Sequence, residues 1–158
     1  MKTIGWGFDA HRFGGEPPVL LAGVVADVKR GLLGTSDADV VAHAVADALL
    51  GAATLGDLGT LFPSGSVQEG ADSMELLGTV MSRCRDEGLT VEHLDVTVIA
   101  ETVSVSPVRA EVRRRLAAAL DVDHAAVSVK ATSTDGMGFT GRDEGVAAAA
   151  VVIGELAG

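Results

Sequence analysis

Cysteine and aromatic residues are both scarce in this sequence. Of its 158 residues, Phe, Trp and Tyr together make up 3 %, tyrosine is absent, and Cys84 is the single cysteine. One cysteine excludes a disulfide framework within the chain, which favours a reducing compartment, and we expect a cytoplasmic protein. Because aromatic residues are so few, the core is predicted to consist of Val, Leu, Ile and Ala.

Positive charge and long apolar runs are also lacking. The chain has 12 Lys and Arg against 22 Asp and Glu, a formal net charge of −10, which argues against nucleic acid and anionic membrane surfaces as partners. No stretch approaches the roughly 20 apolar residues of a membrane-spanning helix. Glycine and aspartate interrupt the N-terminal segment MKTIGWGFDA, so it does not match a signal peptide. A phosphorylated substrate would need local positive charge, for which bound metal ions are a source.

Length and patterning predict one α+β domain over residues 1–158. Apolar residues reach 47 %, enough for a sizeable core. Strands are predicted over residues 4–8, 19–22, 24–28, 94–99, 126–132 and 146–153, and helices from Ser36 or Asp37, over 72–87, and from Ser106. This interleaving favours a two-layer α/β sandwich, with a mixed sheet and helices on one face. The apolar last strand suggests that some faces pack against other subunits.

A first candidate site combines Asp9 and His11 with His43. Residues two apart on a strand project to the same side, so Asp9 and His11 can share a cation, and His43 on the first long helix can complete the set. Two imidazoles and one carboxylate with an open fourth position suit catalytic zinc. Asp39 or Asp47 is a candidate to orient His43. The alternative is two unconnected surface histidines and an aspartate at a strand end.

A second candidate site follows the strand at 126–132. The hydroxyls of Thr132, Ser133 and Thr134 precede a glycine-rich turn, and hydroxyls and exposed backbone N–H groups bind phosphate oxygens. Asp135 is a candidate ligand for Mg²⁺ that also touches those oxygens. The alternative is a Thr/Ser-rich strand end followed by an ordinary loop.

Two further segments have weaker signals. Asp57 and Gly59 form a turn in which a carboxylate can accept from ribose hydroxyls, although a helix-ending turn explains the same residues. Thr35, Ser36 and Asp37 stand at the start of the predicted helix that carries His43, where hydroxyls favour phosphate. Plain helix capping is the alternative there.

Taken in order, five stretches resemble the 2-C-methyl-D-erythritol 2,4-cyclodiphosphate synthase family of the non-mevalonate isoprenoid pathway. They are GWGFDAHRFGG at 5–15, LLGTSDADVVAHAVADALLGAATLGDLGTLFP at 32–63, GADS at 70–73, DVTVIAE at 95–101 and VKATSTDGMGFTGRDEGVA at 129–147. The resemblance covers nearly the whole chain. It implies a homotrimer with active sites between neighbouring subunits. The implied reaction converts the 2-phosphate of a CDP-linked methylerythritol to a cyclic diphosphate and releases CMP.

The resemblance also implies roles for individual residues. Asp9, His11 and His43 are similar to the family's zinc ligands, and Asp135 to the ligand of a second ion, Mg²⁺ or Mn²⁺. The implied catalytic residues are Thr35, Ser133 and Asp135. The implied substrate contacts are Asp9, His11, Thr35, Ser36, Asp57, Gly59, Phe62, Thr132, Ser133, Thr134, Asp135, Phe139 and Arg142. Phe139, Arg142 and Glu144 match a stretch near the trimer axis, where related proteins can hold an isoprenoid diphosphate.

Three positions depart from the family pattern. Thr35 stands where a histidine is usual, Ser64 where an aspartate is usual, and Ser104 where a lysine is usual. All three lie on implied substrate contacts. They keep open two alternatives: a diverged paralogue that cyclises another nucleotide-activated phosphate, and a non-catalytic trimer that binds isoprenoid diphosphates.

Overall fold

The structure, a computed structural model, describes residues 1–63, 65–67 and 69–158. Its strands are β1 (Lys2–Gly15), β2 (Val19–Leu21), β3 (Val24–Asp27), β4 (Gly31–Leu32), β5 (Leu89–Ile99), β6 (Val127–Thr132) and β7 (Gly145–Leu156). Its helices are α1 (Val40–Ala52), α2 (Leu58–Leu61), α3 (Ser73–Asp86), α4 (Arg109–Leu120) and α5 (Gly138–Gly141), with a 3₁₀ turn at His124–Ala126. None of the helices so described is long and apolar enough to cross a membrane.

The main sheet has five strands in the order β4-β1-β7-β5-β6, and β2 pairs with β3 in a separate hairpin. The β4-β1, β1-β7 and β7-β5 pairs are antiparallel, whereas β5 and β6 are parallel. The predicted mixed sheet is therefore confirmed. The first strand is much longer than the predicted residues 4–8, and it includes Asp9 and His11, whose spacing was predicted to be that of a strand.

Helices cover one face of this sheet, as predicted. On that face α1 lies so close to β1 that a Cβ on Gly5 would come within 1.8 Å of the Ala48 carbonyl oxygen. On the other face Ile4 and Trp6 stay 66 % and 64 % exposed, although they belong to the same strand. The period-2 alternation of a strand explains this division, and it leaves an apolar surface on the uncovered face.

The buried core is aliphatic. Leu49, Leu77, Leu94 and Leu116 are completely buried, and no aromatic side chain is among the buried residues of the described chain. The predicted composition is thus confirmed for Val, Leu and Ala. Isoleucine contributes none of the buried side chains, which corrects the expectation for that residue.

The start of α1 differs from the prediction. Asp39, not Ser36 or Asp37, caps the helix, and its side chain accepts hydrogen bonds from the N–H groups of the first turn. Ala38 has a φ of +56°, so the helix cannot extend back through it. By contrast, α3 begins as predicted after Asp72, which caps it.

Candidate active site

Three side chains from β1 and α1 meet at one point. Asp9 Oδ2 lies 2.9 Å from His11 Nε2 and 3.0 Å from His43 Nδ1, and the two ring nitrogens are 3.3 Å apart. We call these three residues the triad. It is the one group of three or more His, Cys, Asp or Glu in the described chain whose ligand atoms lie close enough to share a metal ion.

The packing of α1 on β1 brings the triad together. A Cβ on Gly7 would lie 2.0 Å from the carbonyl oxygen of Ala44, so only glycine allows this approach. Asp9 follows Gly7 by two residues on the same face of the strand, and His43 precedes Ala44 on the helix. The convergence of Asp9, His11 and His43 predicted from the sequence is therefore present in the structure.

The electrostatics of the triad favour a cation at its centre. Burial opposes ionisation of Asp9, but hydrogen bonds to His11 and His43 outweigh burial and lower the pKa of Asp9 to about 2. Burial likewise opposes protonation of His11, yet the Asp9 carboxylate raises the pKa of that ring. The first shift stabilises the Asp9 carboxylate and the second stabilises positive charge beside it, which a proton or a metal ion can supply.

The donor set also fits zinc. Two imidazole nitrogens and one carboxylate oxygen are a common catalytic combination for Zn²⁺. Ligands about 2.0–2.1 Å from an ion at the tetrahedral angle lie roughly 3.3 Å from one another. The three separations in the triad, 2.9, 3.0 and 3.3 Å, are close to that value.

The outer nitrogens of both rings are hydrogen-bonded. His11 Nδ1 lies 2.7 Å from the carbonyl oxygen of Leu33, and His43 Nε2 lies 3.2 Å from Ser36 Oγ and 3.0 Å from Ser73 Oγ. Sequence reasoning missed Leu33 and Ser73. A backbone carbonyl has no residue signature, and Ser73 is 37 positions from Ser36, so only the folded chain reveals these contacts.

The prediction that Asp39 or Asp47 orients His43 is wrong. Asp39 is completely buried, and its carboxylate accepts from the backbone N–H groups of Ala22, Gly23, Val41 and Ala42. Asp47 accepts from the N–H of Leu58 at 2.8 Å. Both carboxylates are occupied by backbone donors, and they join α1 to the β2–β3 hairpin and to α2.

A cleft of about 280 Å³ opens beside the triad. Its polar end is formed by His11, His43, Thr35 and Ser36. Its remaining described wall is mainly apolar, with contributions from Leu58, Gly59, Phe62, Pro63, Gly65, Val67 and Leu76. A concave site with an apolar wall and a few convergent polar groups is typical of a small-molecule binding site.

Residues 132–135 are not part of this cleft in the chain as described. Ala10 of β1 and Thr132 of β6 lie in one row of the sheet, with β7 and β5 between them. Adjacent strands are about 4.8 Å apart, so three steps separate the row's two ends by roughly 14 Å. A single chain therefore does not bring the two predicted sites to one phosphate group.

The hydroxyl segment after β6 is exposed. Thr132, Ser133 and Asp135 are exposed, and Asp135 has a φ of +55°. The Thr134 hydroxyl lies 2.6 Å from the carbonyl oxygen of Met137, to which it donates, so its proton is already engaged. A lone exposed carboxylate such as Asp135 fits Mg²⁺ only where substrate phosphates and water complete the coordination.

The predicted ribose turn is a helix start. Asp57 caps α2 and accepts from the N–H and the hydroxyl of Thr60, both at 2.8 Å. The Thr60 side-chain hydrogen bond is the main reason that the pKa of Asp57 is lowered. Both contacts use Oδ1 of this exposed carboxylate.

Phe139, Arg142 and Ser104 are not among the described residues that line the triad cleft. Phe139 and Glu144 line a second groove of about 300 Å³ that also includes His11 of the triad, and Arg142 pairs with Glu144 at 3.2 Å. Ser104 is exposed in the loop after β5, and Ser64 lies outside the described residues.

Comparison with known proteins gives a consistent result. The model of the YgbB family matches residues 2–155. The 2-C-methyl-D-erythritol 2,4-cyclodiphosphate synthase of Histophilus somni is 47 % identical over 154 residues, which are 97 % of this chain and 95 % of that protein. The synthase of the same name from Pectobacterium atrosepticum is 49 % identical, over 95 % of this chain and 92 % of that protein.

Solved structures agree with these matches. The bifunctional IspDF of Campylobacter jejuni superposes with a TM-score of 0.95 at 39 % identity, and the match covers 99 % of this chain but 43 % of that longer one. A 2C-methyl-D-erythritol-2,4-cyclodiphosphate synthase in a CDP-bound form superposes with a TM-score of 0.86 at 27 % identity, over 96 % of this chain and 99 % of that one.

Proposed function

This chain belongs to the YgbB family, and we infer that it catalyses the formation of 2-C-methyl-D-erythritol 2,4-cyclodiphosphate in isoprenoid biosynthesis. The reaction joins the 2-phosphate of a CDP-linked methylerythritol to the β-phosphorus and expels CMP. Relatives that are 46–49 % identical over nearly the whole chain share this one activity. They do not favour the diverged paralogue or the non-catalytic binding protein, although Thr35 and Ser104 depart from the usual residues.

The triad carries this proposal. Asp9, His11 and His43 would hold zinc, and Asp135 would hold Mg²⁺ or Mn²⁺ together with the substrate. When bound, these ions would polarise phosphoryl oxygens and offset the charge of the diphosphate. The attacking phosphate is already ionised, so the chain needs no general base. What its residues must do is align the attacking and leaving oxygens.

The second half of the site is proposed to come from a neighbouring subunit. The rows of the sheet separate Ala10 from Thr132 by roughly 14 Å, so one chain cannot close both halves around a substrate. The uncovered apolar face with Ile4 and Trp6 gives a second copy a surface to pack on. We therefore propose a homotrimer in which residues 132–135 of one copy approach the triad of the next.

Within that assembly the cleft would hold the substrate. Thr35 and Ser36 at its polar end would donate to phosphate oxygens, and Phe62 would pack on the methylerythritol or the base. Asp57 and Gly59 would bind the ribose through the exposed carboxylate and the glycine backbone. A relative crystallised with CDP supports a nucleotide-binding role for this fold.

On the other subunit, Thr132, Ser133 and Thr134 would form the clamp for the diphosphate. Among these, Ser133 would stabilise the transition state, because the hydroxyl protons of Thr132 and Thr134 are already donated to the carbonyl oxygens of Ser133 and Met137. Phe139 and Arg142 would lie nearer the axis, where an isoprenoid diphosphate is a candidate ligand. We place the enzyme in the cytoplasm as one domain over residues 1–158.

The reaction itself is the direct test. The protein is incubated with the CDP-linked 2-phosphate, Zn²⁺ and Mg²⁺, and phosphorus NMR follows the products. We expect CMP and a cyclic diphosphate in equal amounts. Release of CMP only from a different nucleotide-activated phosphate, or binding of an isoprenoid diphosphate with no CMP released from any substrate, would contradict the assignment.

A further inference from the structure

The outer hydrogen bonds of His43 form a chain that ends on a carboxylate. We propose that Ser73, held by Asp37, is a positioning residue that keeps a proton on His43 Nε2 and so leaves Nδ1 as the nitrogen that would bind the zinc ion. The inference rests on the proposed function, because it concerns a ligand of the proposed zinc site.

The chemistry of the groups fixes which atom donates in each of these hydrogen bonds. The Ser73 hydroxyl is hydrogen-bonded to Asp37 Oδ1, and its oxygen lies 3.0 Å from His43 Nε2. A carboxylate can only accept, so the single hydroxyl proton of Ser73 points to Asp37. The Ser73 oxygen can then only accept from the ring, and this requires N–H at Nε2 of His43. Ser36 Oγ also lies within hydrogen-bond distance of this nitrogen, at 3.2 Å.

The residues around Ser73 fix the direction of these hydrogen bonds. Ser73 is 1 % exposed, so bulk water cannot take over its hydrogen bonds. Asp37 Oδ2 also accepts from the backbone N–H of Ser73 at 3.1 Å, and the Asp37 N–H donates to the carbonyl oxygen of Ala71 at 3.0 Å. These two backbone hydrogen bonds therefore hold the loop before α1 against the start of α3, next to the Ser73 hydroxyl.

The ring of His11 is also oriented by a hydrogen bond at the nitrogen that faces away from Asp9. Its Nδ1 lies 2.7 Å from the Leu33 carbonyl oxygen, which can only accept, so Nδ1 carries a proton and Nε2 faces Asp9. The two rings thus present different nitrogens to the same point, each chosen by an outer acceptor. Outer hydrogen bonds of this kind orient histidine ligands and tune metal affinity.

The proton on His43 Nε2 can be observed without any catalysis. Metal-free protein labelled with ¹⁵N-histidine is studied by NMR at neutral pH, and the two ring nitrogens of His43 are assigned. We expect Nε2 to be protonated, whether or not Nδ1 also carries a proton that it donates to Asp9 Oδ2 at 3.0 Å. A neutral ring with its proton only on Nδ1 in the wild-type protein would overturn the proposal.

Two variants test the chain further. Ser73→Ala removes the acceptor, and we expect a neutral ring with its proton only on Nδ1 to become populated and zinc affinity, measured by chelator competition, to fall about 10–100-fold. Asp37→Asn keeps the hydroxyl but lets an amide donate to it, which frees the hydroxyl to donate to Nε2. We therefore expect the same shift of the ring proton and a smaller loss of zinc affinity. This variant replaces Ser73→Ala if the alanine variant does not fold.

The control is Ser82→Ala, a matched change at an exposed position of α3. It should leave the His43 spectrum and zinc affinity unchanged. If Ser73→Ala keeps Nε2 protonated and binds zinc within about twofold of wild type, Ser73 has no positioning role. Wild-type CMP release is assayed alongside, so failure of this inference is distinguishable from failure of the proposed function.

Discussion

The triad and the hydroxyl segment after β6 are built in opposite ways. Asp9, His11 and His43 are half-buried, and nearly every polar atom they carry has a partner within the chain. Ser133 and Asp135 are exposed on a glycine-rich turn. The first half is thus preorganised by the packing of one chain, whereas the second half is presented outward. Such a division is expected where an active site is completed by a neighbouring copy.

The largest effect should come from removing a triad ligand. For His43→Ala we expect CMP release to fall by at least about 10³-fold, because a Lewis acid contributes several kcal/mol to stabilising phosphoryl charge. The measurement is a single-turnover assay, with bound zinc determined in parallel. His124→Ala, at an exposed histidine of the 3₁₀ turn, should behave as wild type. Full activity of His43→Ala without bound zinc would remove the triad from the mechanism.

Matched glycine changes compare the stability of the two halves. In Gly7→Ala the new Cβ would meet the Ala44 carbonyl oxygen at 2.0 Å, and we expect a loss of about 3 kcal/mol or more in unfolding free energy. In Gly136→Ala nothing lies within 4 Å of the new Cβ, and only the φ of +74° is strained, which costs about 1–2 kcal/mol. Denaturant unfolding measures both. Equal losses would mean that α1 is not packed on β1 as described.

The stability contributed by the buried helix cap Asp39 and by the exposed helix cap Asp57 should change with pH in opposite directions. Burial raises the pKa of Asp39 to about 6 from 3.8, despite opposing hydrogen bonds from backbone N–H groups. The folded state therefore holds a proton that the unfolded state has lost between these pH values. The contribution of Asp39 to stability is complete below about pH 4 and disappears as the pH rises through 6, a change of about 2–3 kcal/mol.

This prediction is measured as the difference in unfolding free energy between wild type and Asp39→Asn at several pH values. Asp57→Asn is the comparison, because the pKa of Asp57 is lowered by its hydrogen bonds to Thr60. Its contribution is present at neutral pH and disappears as the pH falls through its folded pKa. If the stability of wild type relative to Asp39→Asn increased with rising pH, the assignment of Asp39 as a buried, proton-binding cap would be contradicted.

The smallest effect is expected at Thr35, on the polar rim of the cleft. A threonine can donate only a neutral hydrogen bond to the reacting phosphate, whereas histidine can donate a charged one. A charged hydrogen bond is stronger than a neutral one by about 1 kcal/mol, which predicts a roughly fivefold gain in turnover for Thr35→His. Steady-state CMP release measures it. Unchanged or slower turnover would show that Thr35 does not face the reacting phosphate.

Sequence reasoning recovered the parts of this molecule that local pattern dictates. Alternation and capping residues predicted most elements. The spacing of Asp9 and His11 made the triad a candidate, and the family resemblance assigned His43 to it. Asp39 was misassigned because its backbone partners, Ala22 and Gly23, come from a hairpin 16–17 residues away. Ser73 was missed for the same reason. Long-range hydrogen bonds leave no periodic trace in a sequence, so only the fold reveals them.

The separation of the two halves is the central claim, and subunit mixing tests it most directly. His43→Ala lacks the triad and Asp135→Ala lacks the acidic group of the hydroxyl segment, so each variant alone should be inactive. Co-expressed and randomly assembled, they place an intact triad beside an intact segment in about one quarter of the interfaces of a trimer. The account predicts recovery of about that fraction of wild-type CMP release. No recovery, with mixed trimers demonstrated by mass spectrometry, would contradict it.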